Sequence, residues 1–442
     1  MTDGPDIQPL ALDAGFRTRR EAEVRHLLTG LEQELTDWKE AATARGPLEK
    51  HQSQIESAVR VVATALEQLR SLPAAERLDR APELVLDLHH LWDFFRTKLT
   101  VRHIPQYKQF LDAADELAWA IYEPVRQAAT DPSSPLREPP LTFLARHPVP
   151  FATARGSDFE DLLPSGAQRT LTGRRASRHL PFPLIGIPWS ASHHLPSLLA
   201  AAHETGHHIE DDLDLAEPLL TRLRERTGLP AERVSVWEPW LGEVFADVCA
   251  TLACGEAYAR TLADALATTR DVASVSAYPP PRLRLQVCSA TLAEQATVSR
   301  SEDHGSTEPT AVVHALIHDG FPELGGATLA SLVALRHPDQ LQQASLRLRN
   351  GLRSGRRDVP GVLAAAALTF LDAPDAYDDH AIGTRALQEV LSLVPRGARA
   401  GSVAENLLAL RDSAAGRQLF DLLHRDAAPQ QLVARSSRIG HH

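Results

Sequence analysis

Nothing in this chain marks it for a membrane or an oxidising compartment. It has only three cysteines, Cys249, Cys254 and Cys288, without the paired spacing of a disulfide framework or a cysteine-rich zinc module. All three lie in apolar helical contexts and read as buried free thiols. The longest apolar run, Val362 to Leu371, falls well short of the roughly 20 residues that cross a bilayer. Residues Met1 to Arg20 contain no apolar segment of the kind a secretory signal needs. Positive charge is also in deficit. The net charge of -11 argues against nucleic acid or an anionic membrane as the main partner. No internal repeat is visible. These absences predict a cytoplasmic protein, and 442 residues at 43% hydrophobic can bury a core shared by two or three domains.

Helical periodicity dominates the first third. Val24, Leu27, Leu28, Leu31, Leu35 and Trp38 fall on one face, and Gly46-Pro47 ends that segment. Ile55, Val59, Val62, Leu66 and Leu69 alternate four-three, the spacing of a helix packed lengthwise on another. Further segments carry Leu84, Leu88, Leu91 and Phe95, then Phe110, Ala114, Leu117 and Ile121 behind a first-turn Pro105. A helical bundle over 1–135 follows. His89, His90 and Trp92 read as helix-face and core residues, since no matching carboxylate motif lies nearby.

After Asp131-Pro132-Ser133-Ser134-Pro135 the texture becomes extended and proline-rich. Leu141 to Leu144 and Val149 to Phe151 read as short strands. Pro181 to Trp189 (PFPLIGIPW) reads either as an edge strand or as a proline-rich connector, because its prolines at 181, 183 and 188 exclude a central strand. An edge strand here could hold an extended peptide by strand addition. His193 and His194 stand in the loop that follows, as cleft residues or plain surface histidines.

The most specific signal is Leu198 to His208, LLAAAHETGHH. On its helix His203 and His207 are four apart and can aim two imidazoles at one ion. Glu204 can reach a water activated by that ion without binding the ion itself. Neutral imidazole suits Zn2+, beside which water ionises near neutral pH. The acidic residues that follow, Glu210 to Asp214, could supply a third ligand, but a charge run is usually a solvated face. Better placed is WEPWLGEVFAD, Trp237 to Asp247, where Pro239 can open a helix. Glu243 and Asp247 share one face of it. Glu243 can complete a His-His-Glu site with a fourth position open, and Asp247 can accept the outer N–H of a ligand imidazole.

The pair of motifs, His203-Glu204-x-x-His207 followed by Glu243-x-x-x-Asp247, resembles the gluzincin group of zinc metallopeptidases, which includes thermolysin-like and neprilysin-like enzymes. The resemblance covers these two motifs and the spacer between them, and that spacer is longer than the thermolysin one. It implies a zincin-like core, with His203, His207 and Glu243 as ligands, Glu204 as general base and Asp247 behind the ligands. Tyr278 to Arg284 (YPPPRLR) is similar to the His-Pro-Pro-x-x-x-Arg segment of several other HExxH families, with Tyr278 where they carry His. Tyr278 and Arg284 are the candidates for stabilising an oxyanion.

Beyond the polar stretch Ser299 to Thr310 helical segments resume. Arg347, Arg349, Arg353, Arg356 and Arg357 form a basic cluster read as a solvated loop. Asp378, Asp379 and His380 are too close in sequence to converge readily on one ion. The expectation is therefore a mainly α (α+β) protein. A helical bundle (1–135) precedes a catalytic core with a small antiparallel sheet (136–298), and a helical region (299–442) follows. It would hydrolyse peptide bonds of a peptide or protein substrate with one Zn2+. Two rivals remain: a helical interaction protein whose zinc site is closed by a fourth ligand such as Asp211 or His208, and a zinc hydrolase of a non-peptide bond.

Overall fold

The structure is a computed structural model, and it describes residues 14–43, 46, 48–129, 138–154, 181–267, 278–297, 307–395, 397, 399 and 405–426. The turn expected at 131–135, most of the polar stretch 299–310 and the C-terminal Gly440-His441-His442 lie outside them. The chain is mainly helical. Its longer helices are α1 (Ala14–Ala41), α2 (Gln52–Ser71), α3 (Ala74–Thr100), α4 (Pro105–Ala128), α5 (Ala200–Asp212), α6 (Ala216–Arg226), α7 (Leu241–Cys254) and α8 (Glu256–Leu266). They continue with α9 (Pro281–Thr297), α10 (Glu308–Ile317), α11 (Leu341–Arg349), α12 (Val359–Asp372), α13 (Ile382–Leu393) and α14 (Glu405–Asp426). Among the described residues, no helix is long and apolar enough to cross a membrane.

Contacts divide the chain into two compact units at other places than composition suggested. One comprises the described residues through Arg96 and those from 399 onward; the other runs from Thr97 to Gly397. In the first, α2 packs against α1 and α14. The four-three face of α2 is its buried face, with Ile55, Val62, Leu66 and Leu69 at 1% exposure or less. Trp92 stacks edge-on against Trp38 and donates its indole N–H to Glu34 at 2.9 Å. The division expected at 135 and 298 differs because α4 joins the second unit and α14 the first, the latter through its pairing with α2 more than 300 residues earlier.

The second unit contains the strands. β1 (Leu141–Ala145), β2 (Phe151–Thr153) and β3 (Leu184–Pro188) form one sheet in the order β1-β3-β2. β1 runs parallel to β3, with Phe143 opposite Gly186, and β2 runs antiparallel to it, with Ala152 opposite Ile185. The sheet is thus mixed, not antiparallel as expected. Pro181 to Trp189 also contributes the central strand, not an edge. Its prolines flank the paired stretch: Pro183 precedes it and Pro188 ends it, so Leu184 to Ile187 keep every N–H. The edge nearer the candidate site is β2.

Buried polar contacts fix the sheet and α5 to α4. Asp115 on α4 accepts from the Thr142 backbone N–H at 2.9 Å and its hydroxyl at 2.7 Å, and the fully buried Arg102 pairs with Asp115 at 2.7 Å. Tyr122 on α4 donates to Asp212 at the end of α5. His208 turns away from the cleft, its Nε2 3.0 Å from the Leu184 carbonyl. The run Val362 to Leu371 lies in α12, which is buried on all sides from Gly361 to Thr369 and begins at the side-chain cap of Asp358. Two of the five clustered arginines are structural. Arg356 donates to the His337 carbonyl and pairs with Asp358, and Arg347 donates to the Arg353 carbonyl at 3.0 Å. Cys249, Cys254 and Cys288 are free and buried.

Candidate metal centre

Every residue of the candidate site belongs to the second unit. α5 carries His203 and His207 and α7 carries Glu243 and Asp247, each pair one helical turn apart. The two helices pack closely because their facing residues are small. A Cβ on Gly206 would stand 2.7 Å from the Cα of Ala246 and 3.2 Å from the Cβ atoms of Ala246 and Cys249. A side chain larger than hydrogen at 206 therefore conflicts with the backbone of α7.

This approach brings three donors together. His203 Nε2 and His207 Nε2 are 3.2 Å apart, His203 Nε2 and Glu243 Oε2 3.5 Å, and His207 Nε2 and Glu243 Oε1 3.4 Å. The trio is one of the groups among the described residues that could hold a single ion. Behind His203 lies a buried polar relay. Its Nδ1 is 3.0 Å from Asp247 Oδ1 and 3.1 Å from the Tyr258 hydroxyl, which donates to the same Asp247 oxygen at 2.6 Å. Nδ1 therefore carries a proton, which leaves Nε2 as the ring nitrogen that faces the other donors. Arg284 completes the relay with a two-pronged contact on Asp247, 2.7 Å from Nε to Oδ2 and from Nη2 to Oδ1.

The electrostatics follow from these contacts. Burial alone would lower the His203 pKa, but hydrogen bonds to Asp247 and Glu243 outweigh it and raise the value to about 9. Glu243 is driven well below the carboxylate range against its own burial, by hydrogen bonds from His203 and His207. Asp247 is wholly buried, which would raise its pKa, yet the Arg284 fork holds it at about 2. Glu204 contrasts with both: burial comes first among its influences and pushes its pKa up. Without an ion His203 therefore holds a proton on the nitrogen that faces Glu243, and cation binding there would release it.

A cleft of about 840 Å³ opens over these donors. Its walls include Pro148 to Ala152 leading into β2, His194, Glu204, Asp211, Leu262, Tyr278 and Arg284. Of the residues expected to form the site, His203, His207, Glu243, Asp247 and Arg284 converge, and Glu204 faces the same cleft. Tyr278 lines the cleft at 62% exposure, away from the buried relay. His194 also lines it, bonded to Ser197 at 2.7 Å, whereas His193 contacts Gln106. Asp378 and Asp379 end a short helix away from the trio.

Tyr258 is the member of this buried cluster that motif reading missed. Gly255, at φ +61°, breaks the chain between α7 and α8 and turns it back, so Tyr258 returns to Asp247 one helical turn later. Only the glycine after α7 hints at such a return. The chain matches no family model, no curated protein and no solved structure.

Proposed function

We propose that the protein is a zinc-dependent metallopeptidase with a zincin-like core, in which His203, His207 and Glu243 hold the ion. One observation carries this reading. A tetrahedral ion with ligands about 2.0–2.1 Å away sets neighbouring donors roughly 3.3–3.4 Å apart; the two imidazole nitrogens are 3.2 Å apart, with one Glu243 oxygen 3.5 Å from the first and the other 3.4 Å from the second. Two imidazoles and one carboxylate form the donor set of a catalytic zinc site with its fourth position open. That opening faces the cleft. His208, one of the residues that could have closed a structural site, is instead bonded toward β3.

Zinc bound here would supply Lewis acidity, polarising a carbonyl and lowering the pKa of water. Glu204 accepts the proton of the attacking water and delivers it to the leaving amine, and its burial-raised pKa suits both directions of transfer. Asp247 and Tyr258 fix the His203 tautomer. Arg284 balances the charge of Asp247 and, with its fork engaged there, leaves Tyr278 as the oxyanion donor on the cleft wall. A peptide is favoured over other acyl substrates because β2, at the cleft, pairs with no strand but β3 among the described residues, so its outer edge could pair with an extended chain.

Glu204→Gln tests the reading. It should keep stoichiometric zinc and lose peptide hydrolysis by about 10²–10⁴-fold, measured on a peptide library beside small ester and amide substrates. Full peptidase activity in that variant removes Glu204 from the mechanism, and activity confined to esters moves the reading to a non-peptide hydrolase.

A further inference from the structure

A second set of ligand-type side chains lies outside the cleft, on helices that the catalytic reading does not use for metal. α10 carries His314, and His318 follows at its C-terminal cap one turn later, so the two imidazoles share a face. Their ring centroids are 4.6 Å apart. From α9, Glu294 reaches both: its Oε2 is 2.7 Å from His318 Nε2 and 3.5 Å from His314 Nδ1. One ligand atom from each of the three lies within 4.8 Å of the others. The carboxylate is mostly shielded, at 16% side-chain exposure, while His314 and His318 are open to solvent at 62% and 34%.

We propose that Glu294, His314 and His318 form a second binding site for a divalent transition-metal ion, one that staples α9 to α10. The donor chemistry selects the ion. Imidazole favours Zn2+, Cu2+ or Ni2+ over Mg2+ and Ca2+, and two imidazoles from one helix with a carboxylate from its neighbour leave room for solvent to complete the shell. Engagement of all three ligands ties α9 to α10. An ion that binds only the folded arrangement therefore stabilises it. The site differs from the cleft centre in being exposed, and among the described residues no buried acid fixes its imidazoles as Asp247 fixes His203. Its ion is held more weakly and exchanges more readily. Glu294 and Arg284 are ten residues apart on α9, about 15 Å along its axis, so the two centres share one helix without sharing a ligand.

The test is zinc stoichiometry of the full chain after chelator stripping, by calorimetric titration with Zn2+ alone. His441→Ala and His442→Ala are built into every protein so that the terminal imidazole pair contributes nothing. The parent should bind two equivalents, one tight and one weaker. His314→Ala/His318→Ala should bind only the tight one, and Glu294→Gln should weaken the other by tenfold or more. His203→Ala/His207→Ala should keep the weaker one, and its melting temperature should still rise with Zn2+. Circular dichroism on each variant guards against misfolding. Two equivalents in His314→Ala/His318→Ala, or none in His203→Ala/His207→Ala, overturns the proposal. A single equivalent lost with His314→Ala/His318→Ala but retained in His203→Ala/His207→Ala sustains the staple and sinks the catalytic reading instead.

Discussion

Gly206 offers the sharpest test of how the cleft centre is built, because two opposed effects of one methyl group can be weighed. In a helix interior, alanine is favoured over glycine by about 0.8–1.0 kcal/mol, so Gly206→Ala would stabilise an α5 that faced open space. It does not face open space. The added Cβ would lie 2.7 Å from the Cα of Ala246, whereas carbon atoms in good contact sit about 3.5–4.0 Å apart. Backbone cannot rotate out of the way as a side-chain tip can, so α5 and α7 must part locally by roughly 1 Å. Overpacking of this kind costs about 1–3 kcal/mol, leaving a net loss of about 0–2 kcal/mol after the propensity gain.

The metal should register the shift more strongly than stability does. Glu243 sits one turn before Ala246 on α7, and its carboxylate is 3.4–3.5 Å from the two imidazoles that α5 supplies. Parting the helices lengthens those separations and leaves the ion with two good ligands. Zinc affinity should fall at least about tenfold, the equivalent of roughly 1.4 kcal/mol. Gly242→Ala is the internal control. Its Cβ would meet Glu210 Oε2 at 2.8 Å, the mobile end of a long side chain, so affinity should stay within about threefold and stability should hold or rise by up to about 1 kcal/mol. Urea unfolding of the metal-free proteins and competition with a chromophoric chelator measure the two quantities. Wild-type zinc affinity together with raised stability in Gly206→Ala would refute the close crossing of α5 and α7.

Three further outcomes follow from named contacts. Asp247→Asn should weaken zinc binding by about 10–100-fold, since it disturbs the acceptor of the His203 N–H; unchanged affinity in a chelator competition would show that His203 is oriented by something else. Tyr258→Phe keeps the ring and deletes the hydroxyl that donates to Asp247 at 2.6 Å; chemical denaturation should show a loss of about 1 kcal/mol, with a several-fold rise in zinc Kd. Asp115→Ala removes the acceptor of Thr142 and one partner of the fully buried Arg102, and should cost about 3–5 kcal/mol; a loss under 1 kcal/mol would mean that Asp112, 2.9 Å from the same guanidinium, is carboxylate enough for it.

The parts of this protein that sequence reading reached are those whose information is local. His203 and His207 share a helix face whatever the rest of the chain does, and so do Glu243 and Asp247, because the 3.6-residue period alone decides it. The buried stripe of α2 was legible for the same reason. Sheet order was not. A parallel β1–β3 pair with β2 on the far side of β3 depends on where a connection of more than 30 residues returns, and no periodicity encodes that. The prolines of Pro181 to Trp189 suggested an edge because their number was weighed without their positions. At the ends of a strand they forbid no ladder bond. Arg284 shows the limit most clearly. Its place near the candidate ligands was legible from a motif, but its partner was not, since motif spacing cannot tell a guanidinium facing a cleft from one engaged by a buried acid. Asp247 resolves the choice physically. A carboxylate with no exposed side-chain surface must be neutralised, the Tyr258 hydroxyl supplies a hydrogen bond but no charge, His203 gives up its extra proton once an ion is held, and Arg284 is a permanent cation in contact with it. The arginine is needed behind the metal ligands before it can serve a substrate in front of them.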